Sequence, residues 1–217
     1  MHRLLTELFN LSIAFVAIIG LVRFKKIDSA YYPFLICQWI GLVNEIISII
    51  LVEHGHSNAL NSNIYILTEA LLFIWLFKKW GVFKSLRNLF PLIIIVLCLF
   101  WITENFIIYK IIYFSSYFRI FYSFIIVLLS IHTINGLIST ERKNILKNAT
   151  FLLCTAFVIY FTFKVLIEAF WLSGLNKSAV FRSRVYDILI YINLFCNLIY
   201  ALAALWMPPK QRFSLPS

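Results

Sequence analysis

Apolar residues run along this chain in blocks of about twenty, the length an α-helix rising 1.5 Å per residue needs to cross about 30 Å of hydrocarbon. Seven such blocks predict helices at about 4–24, 31–52, 62–80, 86–107, 118–138, 149–172 and 185–207. The fourth and fifth are the hardest to separate, because 90–138 is apolar almost throughout, broken only by Glu104, Asn105, Lys110, Ser115, Ser116 and Arg119. An interfacial helix also fits that stretch. Every connection is short, and no linker or soluble domain interrupts the pattern, so residues 1–217 read as a single transmembrane domain.

Composition narrows the class without changing it. Residues are 62% hydrophobic and 13% charged, against about one quarter charged in a soluble domain, and mean hydropathy is +0.91. With 6 Gly, 5 Pro and 22 Phe, the chain suits long uninterrupted helices better than the alternating strands of a membrane barrel. The predicted fold is an all-α polytopic membrane helix bundle in a plasma or inner membrane.

The charges orient it. With the N-terminus outside, the inner side carries Arg23, Lys25, Lys26, Lys78, Lys79, Lys84, Arg87, Arg142, Lys143, Lys147, Lys210 and Arg212. That is twice the outer set of Arg3, Lys110, Arg119, Lys177, Arg182 and Arg184, so the positive-inside rule predicts N-out, C-in. The formal charge of +10 is then a topology signal and an attraction to anionic headgroups, and the expected partner is the lipid bilayer rather than nucleic acid. Tyr31, Tyr32, Trp80, Trp171 and Trp206 fall where an interfacial aromatic belt sits. The first block reads as a retained anchor: its basic residues follow the apolar run, and no small-residue cleavage site accompanies it. Cys37, Cys98, Cys154 and Cys196 all lie within spans without a CxxC pair, which predicts buried apolar thiols.

Candidate chemistry comes from the few polar residues within the blocks. Glu45, Glu69, Lys164 and Glu168 are flanked by Leu, Ile, Phe and Val. Charges in hydrocarbon cost several kcal/mol each, so they face one another, a cavity or a partner. Glu45 and Glu69 fall about 10 Å below the outer boundary, Glu168 about 6 Å, Lys164 about 12 Å and Asn193 about 12 Å. Glu7, Asn10, Asn44, Glu104 and Asp187 share that outer half; Glu7, Glu104 and Asp187 are shallow enough to be structural. Helical spacing puts Gln38, Gly41, Glu45 and Ser48 on one stripe, Tyr160, Lys164, Glu168 and Trp171 on a second, and Asn193, Asn197 and Tyr200 on a third. The predicted ligand- or ion-binding set is Gln38, Asn44, Glu45, Glu69, Tyr160, Lys164, Glu168 and Asn193, with Lys164 and Glu168 as an i, i+4 pair. Several acids against one lysine predict an acidic excess that attracts a small solute or cation, or holds protons. His54 and His56 share a loop without a third metal ligand, and His132 is expected to be satisfied inside the bundle. No metal or cofactor is predicted.

A faint internal repeat accompanies this. Gly20-Leu21 and Phe34-Leu35-Ile36-Cys37 correspond to Gly136-Leu137 and Phe151-Leu152-Leu153-Cys154, and the stretch from Asn63 to Glu69 corresponds to that from Asp187 to Asn193. The first three helices would then recur as the last three, with the fourth as inverting linker. Seven spans and an outside N-terminus resemble the layout of a microbial rhodopsin, but the last span lacks the retinal-binding lysine. The Pro-Gln turns of three-one-three sugar facilitators are absent, as is the His-rich zinc set of membrane hydrolases. Walker, GxGxxG, GxSxG and HExxH patterns are missing too. The expected function is a small-solute or proton-linked carrier, or a ligand-binding receptor subunit. An intramembrane enzyme with a Glu acid or base acting on a lipid-like substrate is the alternative, disfavoured because no nucleophile or histidine cluster accompanies the acids. A structural subunit of a membrane complex is the third reading.

Overall fold

Helices form at all seven predicted places in a computed structural model that describes residues 9, 11–86, 88–140, 145–174 and 179–210. They are α1 (Ile13–Arg23), α2 (Tyr32–Glu53), α3 (Ala59–Lys79), α4 (Leu89–Ile102), α5 (Ser116–Thr140), α6 (Ala149–Leu172) and α7 (Ala179–Trp206). A π-helical turn, Thr103–Ile108, prolongs α4. Six of these elements are long and apolar enough to cross a membrane, whereas α1 has only 11 described residues, about 16 Å of helix. Glu7, Asn10, Arg3, Arg87, Arg142, Lys143, Lys177 and Arg212 lie outside the described residues, as does the side chain of Arg182.

Local chemistry fixes the helix ends. Asp28 accepts from the Ala30 N–H at 2.8 Å in the short turn before α2, whose first turn holds Pro33, a residue that needs no N–H partner there. Asn148 caps α6 by accepting from the Phe151 N–H at 3.2 Å. Gly55 and Gly81 take positive φ (75° and 83°) just after α2 and α3, letting the chain reverse where other residues would be strained. At the end of the bundle predicted to face inward, Arg23 closes the C-terminus of α7. Its guanidinium donates to the carbonyls of Ala204 (2.5 Å), Leu205 and Met207 (3.3 Å), a cation where unsatisfied carbonyls carry partial negative charge. The Asp28 N–H to Pro208 carbonyl bond (3.0 Å) and the Lys210 N–H to Lys26 carbonyl bond (2.7 Å) complete that latch.

Successive helices pack side by side from α1 to α7, α7 returns to α1, and α3 touches α5 directly. Helices α1, α2, α3, α5, α6 and α7 therefore close a ring, and α4 lies outside it in the angle between α3 and α5. The interior of the ring is filled by aromatic side chains. Phe157 on α6 meets Phe73 (4.7 Å between centroids), Tyr200 (5.6 Å), Phe34 (6.3 Å) and Phe77 (6.3 Å), joining four helices through one ring. The exterior is apolar as well: Val22, Ile47, Leu92, Phe124, Leu166 and Phe195 are all exposed. Such a coat has no solvent in water and is matched by lipid. The chain is thus an integral, multi-pass membrane protein by its apolar helices.

Two smaller expectations meet the structure here. Cys37, Cys154 and Cys196 are buried free thiols, and Cys98 is half-buried. His132 is not enclosed by the bundle but lies on the exposed face of α5. The sequence gives no azimuth for it, because residues around the whole circumference of α5 are apolar.

A charged cluster inside the helix ring

Three stripes meet in the ring interior. On α3, Ser62, Tyr65 and Glu69 follow each other at helical spacing; on α5, Arg119 and Tyr122; on α6, Phe157, Phe161, Lys164 and Glu168. Glu69 is the centre. Lying about 15 Å from the start of α3, it is mid-helix, deeper than predicted because α3 begins at Ala59. Its Oε2 accepts from the Lys164 ammonium at 3.2 Å and from the Tyr122 hydroxyl, and its Oε1 accepts from the Tyr65 hydroxyl at 3.1 Å. Lys164 also donates to the Tyr122 oxygen, so the three groups form a closed triangle. The ammonium stands 5.1 Å from the Tyr122 ring centroid and 5.4 Å from those of Tyr160 and Phe161. Its remaining surface is therefore covered by π faces. The side chains of Lys164 and Glu69 are 9% and 6% exposed, which makes this a buried ion pair.

One turn nearer the α4–α5 loop lies a second pair. Arg119 Nη1 approaches Glu168 Oε1 at 3.4 Å, Nη2 donates to Ser62 Oγ at 2.7 Å, and the Ser116 hydroxyl donates to Glu168 Oε2 at 2.6 Å. Phe114 covers the guanidinium at 5.2 Å. Arg119 Nε is buried and has no hydrogen-bond partner among the described residues, and the same holds for Ser123 Oγ, adjacent in the chain to Tyr122.

These pairings correct two expectations. Lys164 does not pair with Glu168 one turn along α6. It crosses the ring to Glu69, and Glu168 takes Arg119 instead. Arg119, counted with the outer topology charges although the predicted block at 118–138 includes it, turns inward from the first turn of α5, so among the described residues the cluster pairs two acids with two bases rather than holding an acidic excess.

The other predicted residues are placed as follows. Tyr160 lines the Lys164 ammonium. Gln38 is buried on α2, its carbonyl oxygen unpartnered among the described residues, and Glu45 is half-buried one turn beyond Gly41. Asn44 ties α2 to α3, its side-chain oxygen accepting from Asn61 at 2.9 Å, while Asn61 also donates to Ser48 at 3.2 Å. Asn193 accepts from Asn197 at 3.4 Å, and Asn197 donates to Ser12 at 2.8 Å, binding α7 to the start of α1. Asn44 is thus a helix tie and Asn193 supports Asn197 within α7; among the described residues neither makes a hydrogen bond to the cluster.

Glu104, read from sequence as structural, is 2% exposed and holds the start of α5, accepting from the backbone N–H groups of Tyr117 (3.0 Å) and Phe118 (2.5 Å). Asn63 secures the same loop, donating to the carbonyls of Ile111 (2.9 Å) and Tyr113 (2.6 Å) and accepting from the Ser115 N–H (3.1 Å). This scaffold fixes the entry angle of α5, and hence where Arg119 and Tyr122 point.

Sequence reasoning missed Tyr65, Tyr122, Arg119, Ser62 and Ser116. Tyr65 precedes Glu69 by one turn and Tyr122 follows Arg119 by three residues, so the spacing was present. What it lacked was the direction of each helix face. No family model, curated protein or solved structure matches the chain.

Proposed function

We propose that this protein is a proton-linked carrier of a small polar solute, with the cluster of Glu69, Tyr122, Lys164, Arg119 and Glu168 as its working site. The observation that carries the reading is the closed triangle of Glu69, Tyr122 and Lys164 in the middle of the ring, joined one turn away to a second ion pair with an unpartnered Arg119 Nε. A buried ion pair gains little stability over well-packed apolar residues, so charges at this depth are poorly explained as fasteners. A proton on Glu69 releases Lys164, and a solute with an acceptor oxygen competes for Arg119 against Glu168. Either event opens a contact that otherwise locks α3 to α6 or α5 to α6. Proton and solute thereby bias the same set of helix contacts, which is the requirement for coupling.

The loop charges support an N-out, C-in orientation in a plasma or inner membrane, with the cluster nearer the outside. The ring, built from α1–α3 and α5–α7 with α4 peripheral, is the arrangement a three-one-three repeat would give. The test is solute uptake into proteoliposomes with an internal pH dye, screened over amino acids, organic acids and sugars. At least one solute should drive proton movement with the native chain and none with Glu69→Gln. Equal flux in the variant would remove the cluster from the mechanism.

A further inference from the structure

A recess at the α4–α5 loop is separate from the Glu69 triangle. It has a volume of about 390 Å³, and its walls are the rings of Tyr109, Tyr113, Phe114 and Tyr117 around Glu104. Tyr109 and Tyr117 lie nearly parallel, 9° apart in plane with centroids 6.3 Å apart. A groove of about 570 Å³ continues from it, sharing Glu104, Tyr109 and Tyr117 and passing over Val96, Leu99 and Phe100 on the outer side of α4. From Val96 to Ile108 this track is about 18 Å long, within the stretch that crosses the membrane.

Charge selects the occupant. Among the described residues, Glu104 is the one charged residue lining either space. Its carboxylate already caps the N-terminus of α5, so an anionic group there would meet a carboxylate and no free N–H groups. Arg119, which approaches the Phe114 ring, is paired with Glu168. A primary ammonium needs about three hydrogen-bond acceptors to replace its hydration, but both Glu104 oxygens are engaged by backbone and the Ser116 hydroxyl is held by Glu168, which leaves only tyrosine hydroxyls in a mainly aromatic lining. A quaternary ammonium donates no hydrogen bond and is held by aromatic faces with a carboxylate behind them. We infer that this recess and groove bind a lipid with a quaternary-ammonium head, the head among the tyrosines beside Glu104 and the chain along α4.

The site is independent of the carrier reading and is tested without flux. The full chain in maltoside micelles is titrated with dodecyltrimethylammonium, dodecylammonium, dodecyl sulfate and choline, and occupancy is read by native mass spectrometry. One dodecyltrimethylammonium per chain should bind at least tenfold more tightly than the other three probes. Tyr109→Leu and Tyr117→Leu should each weaken it tenfold, with helical circular dichroism unchanged, and Leu205→Ala, at the opposite end of the bundle, should not. Equal binding of the three alkyl probes would overturn the inference, as would retention in both tyrosine variants. Choline binding as tightly as the alkyl probe would overturn the lipid assignment.

Discussion

Replacing Lys164 by Met leaves Glu69 with its two tyrosine donors and the option of taking a proton, whereas replacing Glu69 by Leu strands an ammonium among three rings with one hydroxyl acceptor. Removing one member of a buried pair costs about 3–5 kcal/mol, so Lys164→Met should fall at or below the lower end and Glu69→Leu at the upper end. The double variant is different. Leu and Met fill similar volume without charge, and replacing a whole buried pair by apolar residues is commonly neutral, but the Tyr65 and Tyr122 hydroxyls lose their acceptor at about 1 kcal/mol or more each, so its cost should be about 2–3 kcal/mol, well below the sum of the single effects. The coupling between the two sites is then at least about 3 kcal/mol, well above the average near 0.6 kcal/mol for membrane hydrogen bonds. Reversible unfolding in mixed detergent micelles, run as a double-mutant cycle, measures it. Additive single effects, or single effects below about 1 kcal/mol, would refute a closed pair.

Other outcomes follow from the same geometry. A Cβ on Gly41 would come within 2.9 Å of the Tyr65 hydroxyl and 2.8 Å of Ile13 Cδ1, so Gly41→Ala should push Tyr65 off Glu69. It should cost about 1 kcal/mol, and in combination with Tyr65→Phe less than the sum of the two, read by the same unfolding assay. Glu104→Ala should destabilise by about 1–2 kcal/mol through loss of the α5 cap, and Glu104→Gln, which keeps one acceptor oxygen, by about half as much; equal losses would argue against capping. With the native cysteines replaced by Ser, Cys at exposed Ser57 should react with an impermeant maleimide from outside cells and Cys at exposed Ser85 only after permeabilisation. The reverse pattern would invert the orientation.

The helices were legible because hydrocarbon imposes a length, and six of the predicted blocks match helices to within a few residues at most ends. The layer of charge was legible for the same reason: depth follows from counting along a helix. Partners were not. In a soluble helix the apolar stripe marks the buried face, but here lipid and core are both apolar, so Leu166 facing outward and Phe161 facing inward look alike in sequence. Spacing therefore suggested Lys164 with Glu168, neighbours on one helix, when Lys164 reaches across to Glu69. Arg119 shows the same limit: the block predicted at 118–138 already holds it in the first turn, but only the inward face of α5, fixed by the π turn and the Glu104 cap, brings it to Glu168.

The central claim is that the interior charges work rather than merely fasten. Proton-coupled solute uptake by the Glu69→Leu/Lys164→Met chain is the decisive measurement, because removing both charges together leaves no uncompensated charge to unfold the bundle. The expected result is a folded chain whose flux falls to the level of empty liposomes. A folded chain with undiminished flux would contradict it.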